Sequence, residues 1–369
     1  MTGALDDSPS SVAATRGRRQ WPLPRLADPS APLLVVEELR THFKMSDGWV
    51  KAVDGVSFRL NDGEALGIAG ESGCGKTTTA LSLMRLLPPN ARIRKGSSIK
   101  LFGIDLVPKT EDQLRRYRWR EVSIVFQGAM NALNPVRTVG DQIAEPIEVR
   151  LGEPRDRARK RAGELLELVG IPRKRAGAYP HELSGGMRQR AMIAMALACD
   201  PAIVVGDEPT TALDVMVQAQ ILQLLERLRQ ELGLSLILIT HDLSVIADTC
   251  DRTLIMYAGK VAEEGPVKRI FTAPRHPYTT KLLGAFPNIQ ADRRTLETIP
   301  GLPPDLRDPP SGCRFHPRCP AVMDVCKDIV PPEVIFPDGV RVACHLYPAG
   351  REGGNLISAA DVAARRGPG

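Results

Sequence analysis

The sequence predicts an α/β protein: a largely parallel sheet covered by helices, followed by a small irregular C-terminal domain that carries a cysteine cluster. Three observations predict it. Apolar runs of strand length, "EALGIAG", "AIVVGDE" and "LSLILIT", alternate with amphipathic helical stretches, the pattern of strands buried on both faces. A glycine-rich turn lies between the first of these strands and a helix. After about Leu283 prolines become dense, helical periodicity fades, and four of the seven cysteines appear.

The elements follow in order. Residues 1–32 are rich in Ser, Ala, Pro and Arg without periodicity and read as a disordered leader. "LLVVEEL" from residue 33 is a strand, and "VSFRL" at 56–60 is a second one that ends at the Asn61-Asp62-Gly63 turn. "EALGIAG" is a buried strand, and "GKTTTALSLMRLL" opens a helix that stops at Pro88-Pro89. "VSIVF" is a strand leading to Gln127; residues 128–180 are charged and helix-rich, as "RDRARKRAGELLELVG" shows. "AIVVGDE" at 202–208 is a strand, residues 214–232 form a long amphipathic helix, and "SLILIT" is the next strand. The predicted organisation is a leader at 1–32, a main domain at 33–283 with a helical part about 128–195, a cysteine domain at 284–350 and a flexible tail at 351–369. No internal repeat is present.

Composition bounds the function. The 369 residues are 43% apolar and 25% charged, which suits a globular protein with a sizeable core. Aromatics at 4% are too few for stacked recognition of single strands, and no nucleic-acid partner is expected. Much of the net charge of +6 sits at Arg16, Arg18, Arg19, Arg25, Arg365 and Arg366, which read as solvated basic tails. No apolar run approaches the ~18 residues of a membrane span. Prolines interrupt "QWPLPRLADPSAP", so the stretch after Arg18-Arg19 fails as a signal peptide. The chain is expected in the cytoplasm, where cysteine clusters mean metal more often than disulfides.

"GESGCGKT", Gly70 to Thr77, fits G-x-x-x-x-G-K-[ST] in full and lies between a strand and a helix. Glycines let successive backbone N–H groups converge on a phosphate, and the helix N-terminus adds partial positive charge. Lys76 should reach the β- and γ-phosphates and the Thr77 hydroxyl should ligate Mg²⁺; Cys74 reads as a spacer. Asp207 and Glu208 stand at the carboxyl end of a buried strand, where parallel sheets bind ligands. One carboxylate suits the magnesium shell, and the other is free to orient and deprotonate a water, worth roughly 10²–10⁴-fold. His241, in "ITHD", tips another buried strand. Taken singly, His241 is more often structural at such a position, and Gln127 carries no signal of its own.

"LSGGMRQR" at 183–190 places a second anion-binding nest at a helix start, and one nucleotide does not need two cradles within one subunit. The order of the phosphate loop, Gln127, LSGGM, Asp207-Glu208, "TALD" at 211–214 and His241 resembles the ATP-binding subunit of an ABC transporter, a P-loop NTPase with a helical subdomain. The resemblance covers roughly residues 33–285. It implies ATP and Mg²⁺ as cofactors, with Ser72, Gly73, Cys74, Gly75, Lys76, Thr77 and Thr78 at the nucleotide. It implies Thr77, Gln127 and Asp207 around Mg²⁺, and Lys76, Gln127, Glu208 and His241 as the catalytic set, His241 binding the γ-phosphate. Ser184, Gly185 and Gly186 would contact ATP held by a partner subunit, and Asp214 would lie at that interface. Phe43 is the implied adenine-stacking ring, with Trp49 as the alternative. Gly206 and Met216 depart from the family pattern at positions that carry no chemistry.

"SIVFQGAMNALNP", "DEPTTALDV", "HDLSVIAD" and "PRHPYTTKLL" resemble the dipeptide/oligopeptide (and nickel) importer branch, whose C-terminal extension has the order Cys…His-Pro-x-Cys-Pro…Cys…Cys. Here Cys313, Cys319, Cys326 and Cys344 are spaced C-x5-C-x6-C-x17-C. Paired C-x2-C, the zinc-ribbon signature, is absent. Four thiolates suit an iron–sulfur cluster, Cys319 precedes Pro320, and the resemblance points to [4Fe–4S]. Zn²⁺, with His316 and His345 as spare ligands, and reduced cysteines in a small core are the alternatives, and the implied role is stapling. The expected protein is an ATP-hydrolysing subunit of a peptide importer, peripheral on the cytoplasmic face of the membrane. Its implied partners are a second, similar or identical ATPase, two permease subunits and an extracytoplasmic binding protein. Import of nickel or glutathione is the alternative within the class. A soluble ABC ATPase of DNA repair or translation is the alternative outside it, and it would usually show a coiled-coil insertion or tandem ATPase units, which this chain lacks.

Overall fold

A computed structural model describes residues 31–126, 128, 132–210, 213–285 and 299–347. The expected leader, Gln127, Thr211 and Ala212 of "TALD", and the C-terminal tail lie outside or largely outside these residues.

The chain opens with a hairpin, β1 (Leu34–Met45) and β2 (Gly48–Leu60). The second strand is longer than "VSFRL" suggests, because the antiparallel register runs back to the turn, Met45 opposite Gly48. Next come β3 (Ala65–Ala69), with all five residues buried, and helix α1 (Lys76–Leu83). The helix stops short of the prolines because Arg85 already adopts a positive φ of 50°. β4 (Ala91–Ile93), β5 (Ser98–Leu101) and β6 (Ile104–Asp105) complete a five-stranded sheet with order β2-β1-β5-β6 and β4 paired to β1. The short helix α2 (Glu111–Leu114) carries a capping box between Thr110 and Gln113.

β7 (Val122–Val125) leads into the helical region, α3 (Val139–Pro146), a π turn at Ile147–Leu151, α4 (Arg155–Leu168) and α5 (Gly185–Ala196). Pro146 has no N–H to continue the ladder, and the chain widens directly after it. β8 (Ile203–Asp207), α6 (Val215–Leu232), β9 (Ser235–Ile239), α7 (Leu243–Thr249) and β10 (Arg252–Tyr257) return to the β–α alternation. β11 (Lys260–Pro266), α8 (Val267–Thr272), α9 (Pro277–Gly284), α10 (Val325–Asp328), β12 (Glu333–Ile335) and β13 (Arg341–Ala343) follow.

The main sheet among the described residues has the order β12-β13-β11-β10-β3-β9-β8-β7. β10, β3, β9, β8 and β7 are mutually parallel. β11, β13 and β12 join antiparallel. The change of composition after Leu283 therefore does not separate two cores. β13 pairs with β11 through Val342 opposite Glu263 and Arg341 opposite Glu264. Phe315, Val334, Phe336, Val340, Val342 and Tyr347 pack into the same apolar cluster as Val204, Leu236 and Ile255. A proline-rich segment with few apolar residues gains security by sharing a large core instead of building a small one. No helix of the described residues is long and apolar enough to cross a membrane.

Candidate functional site

The glycine-rich loop leaves β3 at its carboxyl end and enters α1. Gly70 has φ 146° and a Cβ there would lie 2.1 Å from the Met256 carbonyl oxygen; at Gly75, with φ 108°, it would lie 2.3 Å from that of Ala52. Both clashes are with backbone, so no side chain larger than hydrogen fits the turn. Lys76 is buried, and its Nζ donates to the carbonyl oxygens of Gly70 at 2.7 Å and Glu71 at 3.1 Å. A buried ammonium held by neutral loop groups can exchange them for anionic oxygens. Cys74 is buried beside it, 3.9 Å from Nζ; burial raises its thiol pKa, which keeps it neutral and fits the spacer reading.

The Thr77 hydroxyl donates to Asp207 Oδ1 at 3.1 Å, joining α1 to the tip of β8 across 130 residues. Asp207 is 1% exposed; burial pushes its carboxyl up, the Thr77 hydrogen bond opposes this, and the neighbouring Glu208 charge adds to it. Two hard oxygen donors with incompletely compensated negative charge fit Mg²⁺. Glu208 adopts φ 48°, and its N–H donates to Ile239 O at 2.8 Å, so the neighbouring strand fixes the turn. His241 Nδ1 stands 3.2 Å from Glu208 Oε1, with the ring 64% exposed and the carboxylate 17% exposed. A carboxylate with a histidine beside it at the mouth of a phosphate loop can orient and deprotonate a water.

Ser184 caps α5, its hydroxyl accepting from Met187 N–H at 3.3 Å, so Gly185 and Gly186 form the first turn of the helix, where amides have no intrahelical partner. Asp214 caps α6 in the same way, accepting from Val217 N–H at 2.9 Å. Beside it Val215 and Met216 are 79% and 73% exposed. Phe43 is half-buried on β1 opposite Val50, while the Arg94 guanidinium lies 5.0 Å over the Trp49 ring.

The cysteine segment lies against the back of this site. Cys326 and Cys344 are buried and Cys313 and Cys319 are half-buried. Cys313 N–H donates to Cys326 O at 2.8 Å. Burial pushes the thiols of Cys319 and Cys344 up to about 12, and charge on the other cysteines acts the same way. They do not form the expected ligand set: among the described residues no three His, Cys, Asp or Glu side chains are grouped so that they could hold a metal ion. The two spare histidines are engaged elsewhere, His316 Nδ1 at 3.0 Å from Cys313 O and His345 Nε2 at 2.8 Å from Ile329 O.

Three comparisons bear on this geometry. Residues 53–211 match the family described as ABC transporter, and residues 262–326 match the oligopeptide/dipeptide transporter C-terminal region. A putative peptide import ATP-binding protein of Brucella abortus is 48% identical over 314 residues, 82% of this chain and 93% of that protein. This chain belongs to the ATP-binding subunits of ABC transporters. A probable peptide ABC transporter ATP-binding protein of Sinorhizobium fredii is 45% identical over 86% of this chain and 96% of that one. Among solved structures, a bacterial ABC transporter cassette in dimeric form matches with TM-score 0.57 at 30% identity, covering 63% of this chain and 98% of that chain.

In this ABC ATP-binding subunit the structure brings together Lys76, Thr77, Asp207, Glu208 and His241, and sets Ser184 and Asp214 apart as helix caps. Gln127 lies outside the described residues. Sequence reading missed Glu71, Arg314 and Arg318. The Arg318 guanidinium forms a two-pronged ion pair with Glu71 at 2.6 and 2.9 Å, and that of Arg314 pairs with Asp54 and donates to Ala258 O. The one signal in the sequence was that the "CRFHPRC" segment sets two arginines among apolar and cysteine neighbours, where charges need partners.

Proposed function

We propose that this chain is the ATP-hydrolysing subunit that energises import of di- and oligopeptides through an ABC transporter. The observation that carries the reading is the near full-length similarity to peptide import ATP-binding proteins, joined to an intact Lys76–Thr77–Asp207–Glu208–His241 constellation. Lys76 and the backbone amides from Ser72 to Thr78 hold the phosphates. Thr77, Asp207 and Gln127 would hold Mg²⁺, which would supply charge neutralisation on the phosphate oxygens. Glu208 takes the proton of the attacking water, and His241 orients the water and contacts the γ-phosphate. Ser184, Gly185, Gly186 and Asp214 act across a dimer interface on nucleotide held by a second ATPase subunit, a role supported by their places at the starts of α5 and α6 and by the exposed Val215 and Met216. Phe43 stacks on adenine. Two permease subunits and an extracytoplasmic binding protein complete the assembly, with this chain peripheral on the cytoplasmic face.

Residues 284–350 are read as a cysteine-bearing extension of the ATPase domain at 33–283. A [4Fe–4S] cluster on Cys313, Cys319, Cys326 and Cys344, with Zn²⁺ as alternative, rests on their order in the sequence alone, and no step of ATP turnover passes through it. The transport reading is tested by uptake of a labelled dipeptide and of Ni²⁺ in cells that lack this subunit. The expected result is loss of dipeptide uptake, restored by the wild-type chain and not by Glu208→Gln. Loss of Ni²⁺ uptake alone would overturn it.

A further inference from the structure

Arg318 sits one residue before Cys319, yet its side chain runs 247 residues back in sequence to the phosphate loop. Its guanidinium is buried, with the side chain 6% exposed, and every edge of the fork is used. Nη1 donates to Glu71 Oε2 at 2.6 Å and to Tyr257 Oη at 3.2 Å. Nη2 donates to Glu71 Oε1 at 2.9 Å and to Gly301 O at 3.3 Å, and Nε donates to Pro300 O at 2.8 Å. Such a planar, five-donor arrangement cannot be reproduced by a lysine.

Glu71 is the second residue of "GESGCGKT", and each of its polar groups is committed. Its carboxylate takes the arginine, its N–H donates to the hydroxyl of fully buried Tyr278 at 2.9 Å, and its carbonyl accepts from Lys76 Nζ at 3.1 Å. The path from Arg318 to Lys76 is therefore a single residue long. The anchor itself is rigid: Phe315, 1% exposed, packs edge-on against Tyr257 at 5.1 Å and Tyr278 at 5.3 Å between ring centroids. The tail thus grips the first turn of the loop from behind while the loop's front remains open.

We propose that Arg318 is a positioning residue for the phosphate loop, acting through Glu71, and that the cysteine segment serves ATP binding by this route. The inference rests on the reading of residues 70–77 as the nucleotide loop. A displaced Glu71 carbonyl moves the resting place of Lys76 and the amides that follow it, which alters nucleotide affinity and leaves the Glu208 proton transfer intact.

The test uses the full chain, with ATP KM, kcat and Tm measured for Arg318→Lys, Glu71→Gln and the double variant, and Lys76→Ala as reference. Each single variant keeps polar groups at its position and is expected to fold. Each should raise the ATP KM about tenfold with kcat within about twofold, and the double variant should be no worse than either single one, as residues in one pair behave. Unchanged KM in both single variants, with or without a lower Tm, overturns the proposal and leaves the pair merely structural. A fall in kcat alone overturns it too. If Lys76→Ala bound ATP as tightly as wild type, the nucleotide-loop reading itself would fail.

Discussion

The front and back of the phosphate loop are held by opposite means. At the front, Lys76 and Thr77 meet partners supplied by the loop itself and by the tip of β8. At the back, Arg314 and Arg318 arrive from a segment about 250 residues away and insert charged side chains into the body of the ATPase, Arg314 to Asp54 and Arg318 to Glu71. The front is polar and ends at the exposed His241. The back sets two buried guanidinium groups beside the Phe315, Tyr257 and Tyr278 rings. Such a division lets one loop stay pre-organised while its catalytic face takes up and loses nucleotide.

The comparison can be broken by emptying the back. Phe315→Ala removes a fully buried ring that touches His276, Tyr257 and Tyr278, with centroids 5.1 to 5.9 Å away. The expected loss is about 3–5 kcal/mol by denaturant unfolding, with one cooperative transition because tail and ATPase share a core. Two separate transitions in the wild-type chain would contradict the shared core.

A smaller effect is expected from Arg314→Ala. Its guanidinium is 7% exposed in the pair with Asp54, which is 19% exposed. Losing it removes the Arg314 pair and leaves the carboxylate to Arg40, His42 and the Lys260 charge, at a cost of about 2 kcal/mol at neutral pH. The pH dependence has a definite sign. Burial raises the Asp54 pKa, but the charges of Arg314 and Lys260 reverse this and hold it below its ordinary value of 3.8. The pair's stabilisation is therefore fully present above pH 3.8 and is lost as pH falls through the lower folded value. Urea unfolding across that acid range should show a shallower decline in Arg314→Ala than in wild type.

The same contrast explains what the sequence could disclose. The front was legible because phosphate chemistry demands glycines, a lysine and a threonine at fixed short spacing, and because strands with all residues buried, such as β3, β8 and β9, read as continuous apolar runs. The Ser-Gly-Gly run at 184–186 was likewise marked as a helix start by its own residues, whereas Asp214 came only from the resemblance, and its capping of α6 was not foreseen. The back was not. Nothing within a few residues of Arg318 points to Glu71, and the β11–β13 pairing that carries the tail into the main sheet uses only two residue pairs. A three-residue strand such as β13 has too little pattern to read, and its place is decided by the open edge of β11. The early part of β2 was missed for a related reason, since its burial pattern becomes regular only toward Phe58 and Leu60.

The account's central claim is that the front of this loop hydrolyses ATP with Glu208 as the base, His241 3.2 Å from its carboxylate. Single-turnover ATP hydrolysis by Glu208→Gln, with nucleotide binding measured on the same preparation, tests it most directly. The account predicts a rate lower by about 10²-fold or more at unchanged ATP affinity. Hydrolysis at the wild-type rate would contradict it.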